Sequence, residues 1–303
     1  MDKTGEGFQY KDQSWGERAF TLALYLFMTA LVLLFLYPFI NILAASFSGT
    51  EQVIKGSVTF YPQGFTTMAY ESLFQNSEFL ISARNTLFYV SVGCVCNLFL
   101  VALASYSLAK RRLVFRSFFA IYIAITAFFS GGMIPHFIVV QTVGLYDTWL
   151  VFIVLSFYSF GNIIILRTFF QNIPDSYEES AQIDGANDLK ILFSIYMPLS
   201  KPVLATLSLF IVVAYWNDFF TGLIYLNDTA KYPMQLVLRN FLIENDTTGA
   251  VNTREGTTYM EQIYFQIVIK YSSIVVSTLP MVILFLVVQK HFVKGMVIGG
   301  IKG

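Results

Sequence analysis

Charge is scarce in this sequence. Nineteen Lys and Arg and nineteen Asp and Glu make up 13% of its 303 residues and cancel to a net charge of zero. So little charge cannot coat a soluble domain of this length, and no basic excess offers a footprint for nucleic acid. Histidine is nearly missing too: His136 and His291 stand apart, with no His/Cys/carboxylate cluster spaced to hold a metal. The two cysteines, Cys94 and Cys96, lie at i, i+2 in an apolar run, which on a helix points them apart. They read as small packing residues rather than as a disulfide or metal pair. Neither a Gly-x-x-x-x-Gly-Lys-Ser/Thr phosphate loop nor a Gly-x-Ser-x-Gly nucleophile motif occurs, so an enzyme is not expected.

What is present in excess is apolar. Hydrophobic residues make up 56% of the chain, 31 of its residues are Phe, and the mean hydropathy is +0.62. Lipid is the solvent such a composition fits. Crossing a hydrocarbon core takes roughly 20 mostly apolar residues. Six stretches qualify or nearly so: about Phe20–Ala44, Asn85–Leu108, Phe118–Val140, Trp149–Phe170, Pro202–Leu226 and Tyr271–Gln289. The polar residues 1–18 precede the first without a small-residue cleavage pattern, so that run reads as a retained anchor.

Basic residues orient the spans. With the N-terminus inside, the inner segments hold 13 of the 19 Lys and Arg, including Lys110, Arg111, Arg112 and Arg116. The expected fold class is therefore all-α: a polytopic membrane protein with six transmembrane helices and a cytoplasmic helical loop. It comprises a cytoplasmic tail at 1–18, a six-span domain at 19–290 and a Gly-containing cytoplasmic tail at 291–303, multi-pass in the cell membrane with both termini inside. Two spans are interrupted, by "SGGMIPHF" (130–137) and by "YWNDFF" (215–220). Breaks and polar groups at membrane depth survive where protein or a water-filled path satisfies them. A kinked helix and a solute pathway both answer to that description.

One inner segment is unlike the rest. In "PDSYEESAQIDGANDLKILFSIYMPLSKP" (174–202), five carboxylates crowd into a nearly uncharged chain. Asp175 and Ser176 have N-cap chemistry, Tyr177–Asp184 can form a short helix that Gly185 ends, and a second helical stretch leads from Ala186 to Pro198. From Glu179 the spacing is Glu179-Ser180-Ala181, three residues, Gly185, nine residues, Ile195, one residue, Met197-Pro198. This resembles the EAA loop of ABC importer permeases, whose pattern is Glu-Ala-Ala, three, Gly, nine, Ile, one, Leu-Pro; Ser180 and Met197 are conservative departures. "WNDFF", "YPMQLVLRNFL" (232–242) and the closing "QKHFVKGMVIGGIKG" (289–303) resemble the MalG-type half of sugar importers. "SGGMIP", "ILRTFFQNIP" and "LIYLND" resemble the branch handling complex oligosaccharides and uronic-acid sugars. The likeness covers about residues 20–303, with 45–80 and 243–262 matching no pattern.

The resemblance implies a permease subunit that translocates an oligosaccharide delivered by an extracellular binding protein. It implies a second permease subunit and a separate ATPase dimer that holds the ATP and Mg, with no cofactor on this chain. The coupling surface would comprise Glu178, Glu179, Ser180, Ala181, Asp184, Gly185, Ala186, Ile195 and Pro198, with Glu178, Glu179, Asp184 and Gly185 exposed toward the ATPase. The substrate path would comprise Tyr215, Trp216, Asn217, Asp218 and Phe219. On a continuous helix Tyr215, Asp218 and Phe219 share one face, while Trp216 and Phe220 share another. The segment 227–262 would dock the binding protein, and the closing tail would insert between ATPase subunits. An ion-coupled secondary transporter or channel is the alternative reading of the composition.

Overall fold

The computed structural model describes residues 15–247 and 259–299, with side chains at 15–241 and 267–289. Residues 1–14 of the expected N-terminal tail, 300–303 of the expected closing tail, and 248–258 of the segment that matched no pattern lie outside the described residues. Every regular element among the described residues is a helix. In chain order these are α1 (Trp15–Ser46), α2 (Thr50–Ile54), α3 (Met68–Gln75), α4 (Ser77–Ala109), α5 (Arg116–Phe128), α6 (Met133–Thr142), α7 (Leu150–Leu155), α8 (Phe160–Gln171), α9 (Ser176–Ile183), α10 (Asp188–Ile191), α11 (Met197–Leu199), α12 (Lys201–Asn217), α13 (Phe220–Tyr225), α14 (Met234–Thr247) and α15 (Tyr259–Gly299).

Three of the six expected spans are single helices among the described residues. Three helices are long and apolar enough to cross a membrane alone: α1, α4 and the Ile267–Gln289 part of α15. Two further candidates are bent pairs, α5 with α6 at 113°, and the segment 188–199 with α12 at 87°. The expected span Trp149–Phe170 is divided between α7 and α8, and Pro202–Leu226 between α12 and α13. Each break falls on residues that disfavour continuous helix: Ser130-Gly131-Gly132 with Gly132 at φ 88°, Ser156–Ser159, and Asp218-Phe219. The helix α15 also continues past Gln289 to Gly299, through most of the stretch read as a separate tail.

The chain divides into two compact units. The first takes in α1 and the loop after it, with the early part of α15. No side chain in the most apolar stretch of α1 is buried within the chain, which leaves that surface for lipid or another subunit. Burial begins at Ala44, Ala45 and Ser46, and the two alanines pack with Val53, Val58 and Tyr271. The following loop is tied by Asn41 Nδ2 donating to Val58 O (2.9 Å) and by Ser48 Oγ accepting from Gln63 N (3.0 Å).

The second unit is organised by α4, about 50 Å long at 1.5 Å per residue. Its buried small and polar residues recur at i, i+3 and i+4: Ser82, Thr86, Tyr89, Gly93, Asn97 and Ser105. That stripe meets the broken elements. Thr86 Oγ1 accepts from Met234 N (2.8 Å) at the start of α14, Asn97 Nδ2 donates to Ser156 O at the α7–α8 break, and Ser105 Oγ donates to Ile163 O (3.0 Å). A carbonyl freed by a helix break in lipid would otherwise be unsatisfied, at a cost of several kcal/mol. Gly93 has a different task. A Cβ there would lie 2.3 Å from Tyr215 Cζ, so only glycine lets the ring of α12 approach α4.

At the end of this unit that holds the α6–α7 and α13–α14 connections, Lys231 ties the chain together. Its ammonium donates to Asp147 O (2.7 Å) and lies 3.3 Å from carboxylate oxygens of Asp147 and Asp228. Asp147 also accepts from the N–H groups of Asn227 and Asp228, both at 3.1 Å, which hold its carboxyl below the usual carboxylate range. Asn85, donating to Ala230 O (2.7 Å), and Tyr89, donating to Lys231 O (2.8 Å), fix the same turn to α4.

Candidate functional site

Two groups of sequence-predicted residues are brought together, at different places in the second unit. The acidic loop forms a helix pair. Helix α9 spans Ser176–Ile183, and Gly185 at φ 77° turns the chain. Glycine alone adopts that conformation without strain. Asn187 Oδ1 then accepts from Lys190 N (2.8 Å) and starts α10. The expected side-chain cap at Asp175 is not formed; its backbone oxygen instead accepts from Glu178 N and Glu179 N, each at 3.0 Å. Between α10 and α11, residues Leu192–Tyr196 widen into a π-helical turn, and Pro198 lies in the first turn of α11.

The pair has an inner and an outer side. Ala181, Ala186 and Ile195 pack on the apolar cluster that includes Leu166, Phe170, Ile191 and Leu192. Glu179, Ser180, Asp184 and Gly185 are exposed, as are Ile183 at 87% and Leu189 at 56%. Glu178 corrects the expectation that it faces outward. Its side chain is 12% exposed and ion-pairs with Lys110, 11% exposed, at the C-terminal end of α4. Tyr196 donates to the same carboxylate (3.0 Å) and accepts from Lys110 (2.9 Å), while Gln182 donates to its other oxygen (3.1 Å). The Lys110 ammonium sits 4.2 and 4.1 Å from the ring centroids of Tyr106 and Tyr196. Burial pushes this lysine below its usual range, and Glu178 is the main group pulling it back. Arg112 pairs with Asp188 and lies 3.4 Å from Glu178. A cleft of about 720 Å³ opens beside this cluster, lined by Lys110, Arg112, Arg116, Glu179 and Gln182 among others.

Lys110 and Tyr196 are the residues that spacing missed. Lys110 counted only toward orientation, and Tyr196 occupies the unspecified position between Ile195 and Met197. No local signal joins them, because their contact with Glu178 crosses 68 and 18 residues of chain.

The second group lies at the α12–α13 break. Reading 215–220 as one helix fails, since α12 stops at Asn217. Asn217 Nδ2 donates back to Val213 O (2.8 Å), and Asp218 Oδ1 accepts from Thr221 N (2.9 Å). These side-chain bonds replace backbone ones and turn the chain. Tyr215 and Trp216 are buried, the latter donating to Ser277 O (3.0 Å), so both pack the interior instead of lining a path. Asn217 and Phe219 are exposed, and Asp218 is half-buried.

Long apolar helices, hydrogen-bonded breaks and a two-helix loop clamped to one helix end describe a multi-pass helical membrane component. The chain belongs to the family described as binding-protein-dependent transport system inner membrane components, whose model matches residues 98–298. It is 40% identical over 288 residues to the polygalacturonan/rhamnogalacturonan transport system permease protein YtcP of Bacillus subtilis (strain 168), covering 94% of this chain and 99% of that one. It is 39% identical over 287 residues to the protein LplC of the same organism, covering 94% and 96%. A crystal structure of a bacterial ABC transporter involved in the import of the acidic polysaccharide alginate superposes with a TM-score of 0.86 at 33% identity, covering 93% of this chain and 99% of that one. The chain is thus a permease subunit of a sugar ABC importer, and an ion-coupled transporter or channel is not favoured.

Proposed function

We propose that this permease passes an acidic oligosaccharide, handed over by an extracellular binding protein, through a pore shared with a second permease subunit. A separate ATPase dimer, holding ATP and Mg, supplies the energy. The observation that carries this reading is the α9–Gly185–α10 pair, with its EAA-like spacing and its outward Glu179, Ser180, Asp184, Gly185 and Ile183. An exposed apolar side chain ringed by carboxylates suits a partner cleft better than open water. The basic-rich ends of the helices orient this loop and both termini to the cytoplasm. Six crossings follow if α7 and α8 act as one broken span. The segment 227–262 serves the binding protein, and the C-terminal tail serves the ATPase.

Purifying the tagged chain with its partners tests the coupling surface. Native protein is expected to retain an ATPase subunit, and Glu179→Lys with Gly185→Trp to lose it while keeping the second permease. Equal ATPase recovery from both would remove α9–α10 as the coupling site.

The substrate path reduces to Asn217, Asp218 and Phe219. Asp218→Asn retains an acceptor for Thr221 N and removes the charge. If the carboxylate serves the path, uptake falls several-fold with complex yield unchanged. Wild-type uptake by Asp218→Asn would leave Asp218 as a helix cap alone.

A further inference from the structure

We infer that Arg239 is the specificity-determining residue that reads the carboxylate of an acidic sugar at the substrate path, an inference that rests on the function proposed above. Arg239 lies on α14, and its Cζ is 5.8 Å from the ring centroid of Phe219, at the α12–α13 break. Phe219 is 37% exposed and Asn217 beside it is exposed. Among the residues whose side chains are described, Arg239 has no ion pair with a carboxylate, unlike Lys110, Arg112 and Lys231. A guanidinium beside open apolar surface is costly against lipid, so donors with no carboxylate among those side chains belong in water or on an anionic ligand.

The position is held by packing. One turn along, a Cβ at Gly222 would meet Pro233 Cδ at 2.8 Å and Leu236 Cδ2 at 3.1 Å, so α13 and α14 approach closely there. Phe219 and Gly222 are three residues apart, as are Leu236 and Arg239, so one contact fixes the other. The Asp218 carboxylate, next to Phe219 in sequence, already accepts from Thr221 N. An aromatic face steadies the guanidinium and leaves its forked N–H edge for a carboxylate, which takes two parallel bonds from arginine. Lysine offers a point charge and cannot reproduce that fork.

The test uses the complete transporter with its ATPase and binding protein in liposomes, supplied with a uronic-acid trisaccharide or its methyl ester. The binding protein is common to all variants, so its own preference cancels when acid-to-ester uptake ratios are compared. Arg239→Gln is expected to lower that ratio about tenfold, equivalent to about 1.4 kcal/mol, with ester uptake unchanged. Arg239→Lys is expected to fall between. An unchanged ratio overturns the inference, and so does an equal loss of both sugars, which would make Arg239 a packing residue. If the wild-type complex takes up neither sugar, the acidic-substrate reading itself fails and takes this inference with it. If wild type takes up both and only the ratio is insensitive, that reading stands and Arg239 alone is dismissed.

Discussion

Replacing Glu178 with glutamine is expected to disconnect the two-helix loop from α4. The pair with Lys110 is sheltered, with side chains 12% and 11% exposed, and Tyr196 and Gln182 complete its hydrogen bonding. Removing one partner of a buried pair costs about 3–5 kcal/mol, because the other charge is left without compensation. Here the two tyrosine rings still face Lys110, which puts Glu178→Gln near the lower end of that range. The expected result is a complex that still retains its ATPase, since Glu179, Asp184 and Gly185 stay in place, yet whose sugar uptake per ATP hydrolysed drops at least several-fold. Lys110→Met should do the same. The double variant should be little worse than either single change, as expected for groups acting as one unit. Additive losses, or uptake per ATP equal to wild type in Glu178→Gln, would show that the clamp does not transmit motion.

Gly93→Ala is expected to be the most damaging small change within the spans. Its added methyl would sit 2.3 Å from Tyr215 Cζ and 2.4 Å from Cε1, atoms of a ring already buried among α4, α7 and α12 residues. Neither backbone can retreat without breaking the contacts around it, and overpacking of this kind costs about 1–3 kcal/mol. A lower thermal midpoint of the purified complex is the readout. Tyr215→Ala opens a cavity and is itself destabilising, by about 3–5 kcal/mol for loss of a large aromatic. In that background Gly93→Ala has no ring to strike and should add almost nothing. A full additional loss in the double variant would mean that the glycine is needed for some other reason.

The class of this protein was legible in composition and spacing. Thirteen per cent charge against 56% apolar residues admits lipid as the solvent, and the Glu179–Gly185–Ile195–Pro198 register marks the two-helix loop. Gly185 was legible because a turn at φ 77° is a local demand that one residue type meets. What the sequence could not yield depends on partners far away in the chain. Glu178 and Glu179 are adjacent and chemically alike, yet one is clamped to Lys110 and Tyr196 and the other is exposed, because α9 presents a single face to the end of α4 and the Tyr196 turn. Three of the six spans read from hydropathy became broken segments because hydropathy records how apolar a stretch is, and not whether Asn97 can satisfy a carbonyl at Ser156. Tyr215 to Phe220 read as one continuous helix with Tyr215, Asp218 and Phe219 on a shared face, and two side-chain hydrogen bonds ended the helix in its middle. Local composition therefore determined the solvent, the helices and the register of the turn at Gly185. Tertiary contacts decided which residues of each motif are buried and which are exposed, because burial is a property of the neighbours and not of the residue.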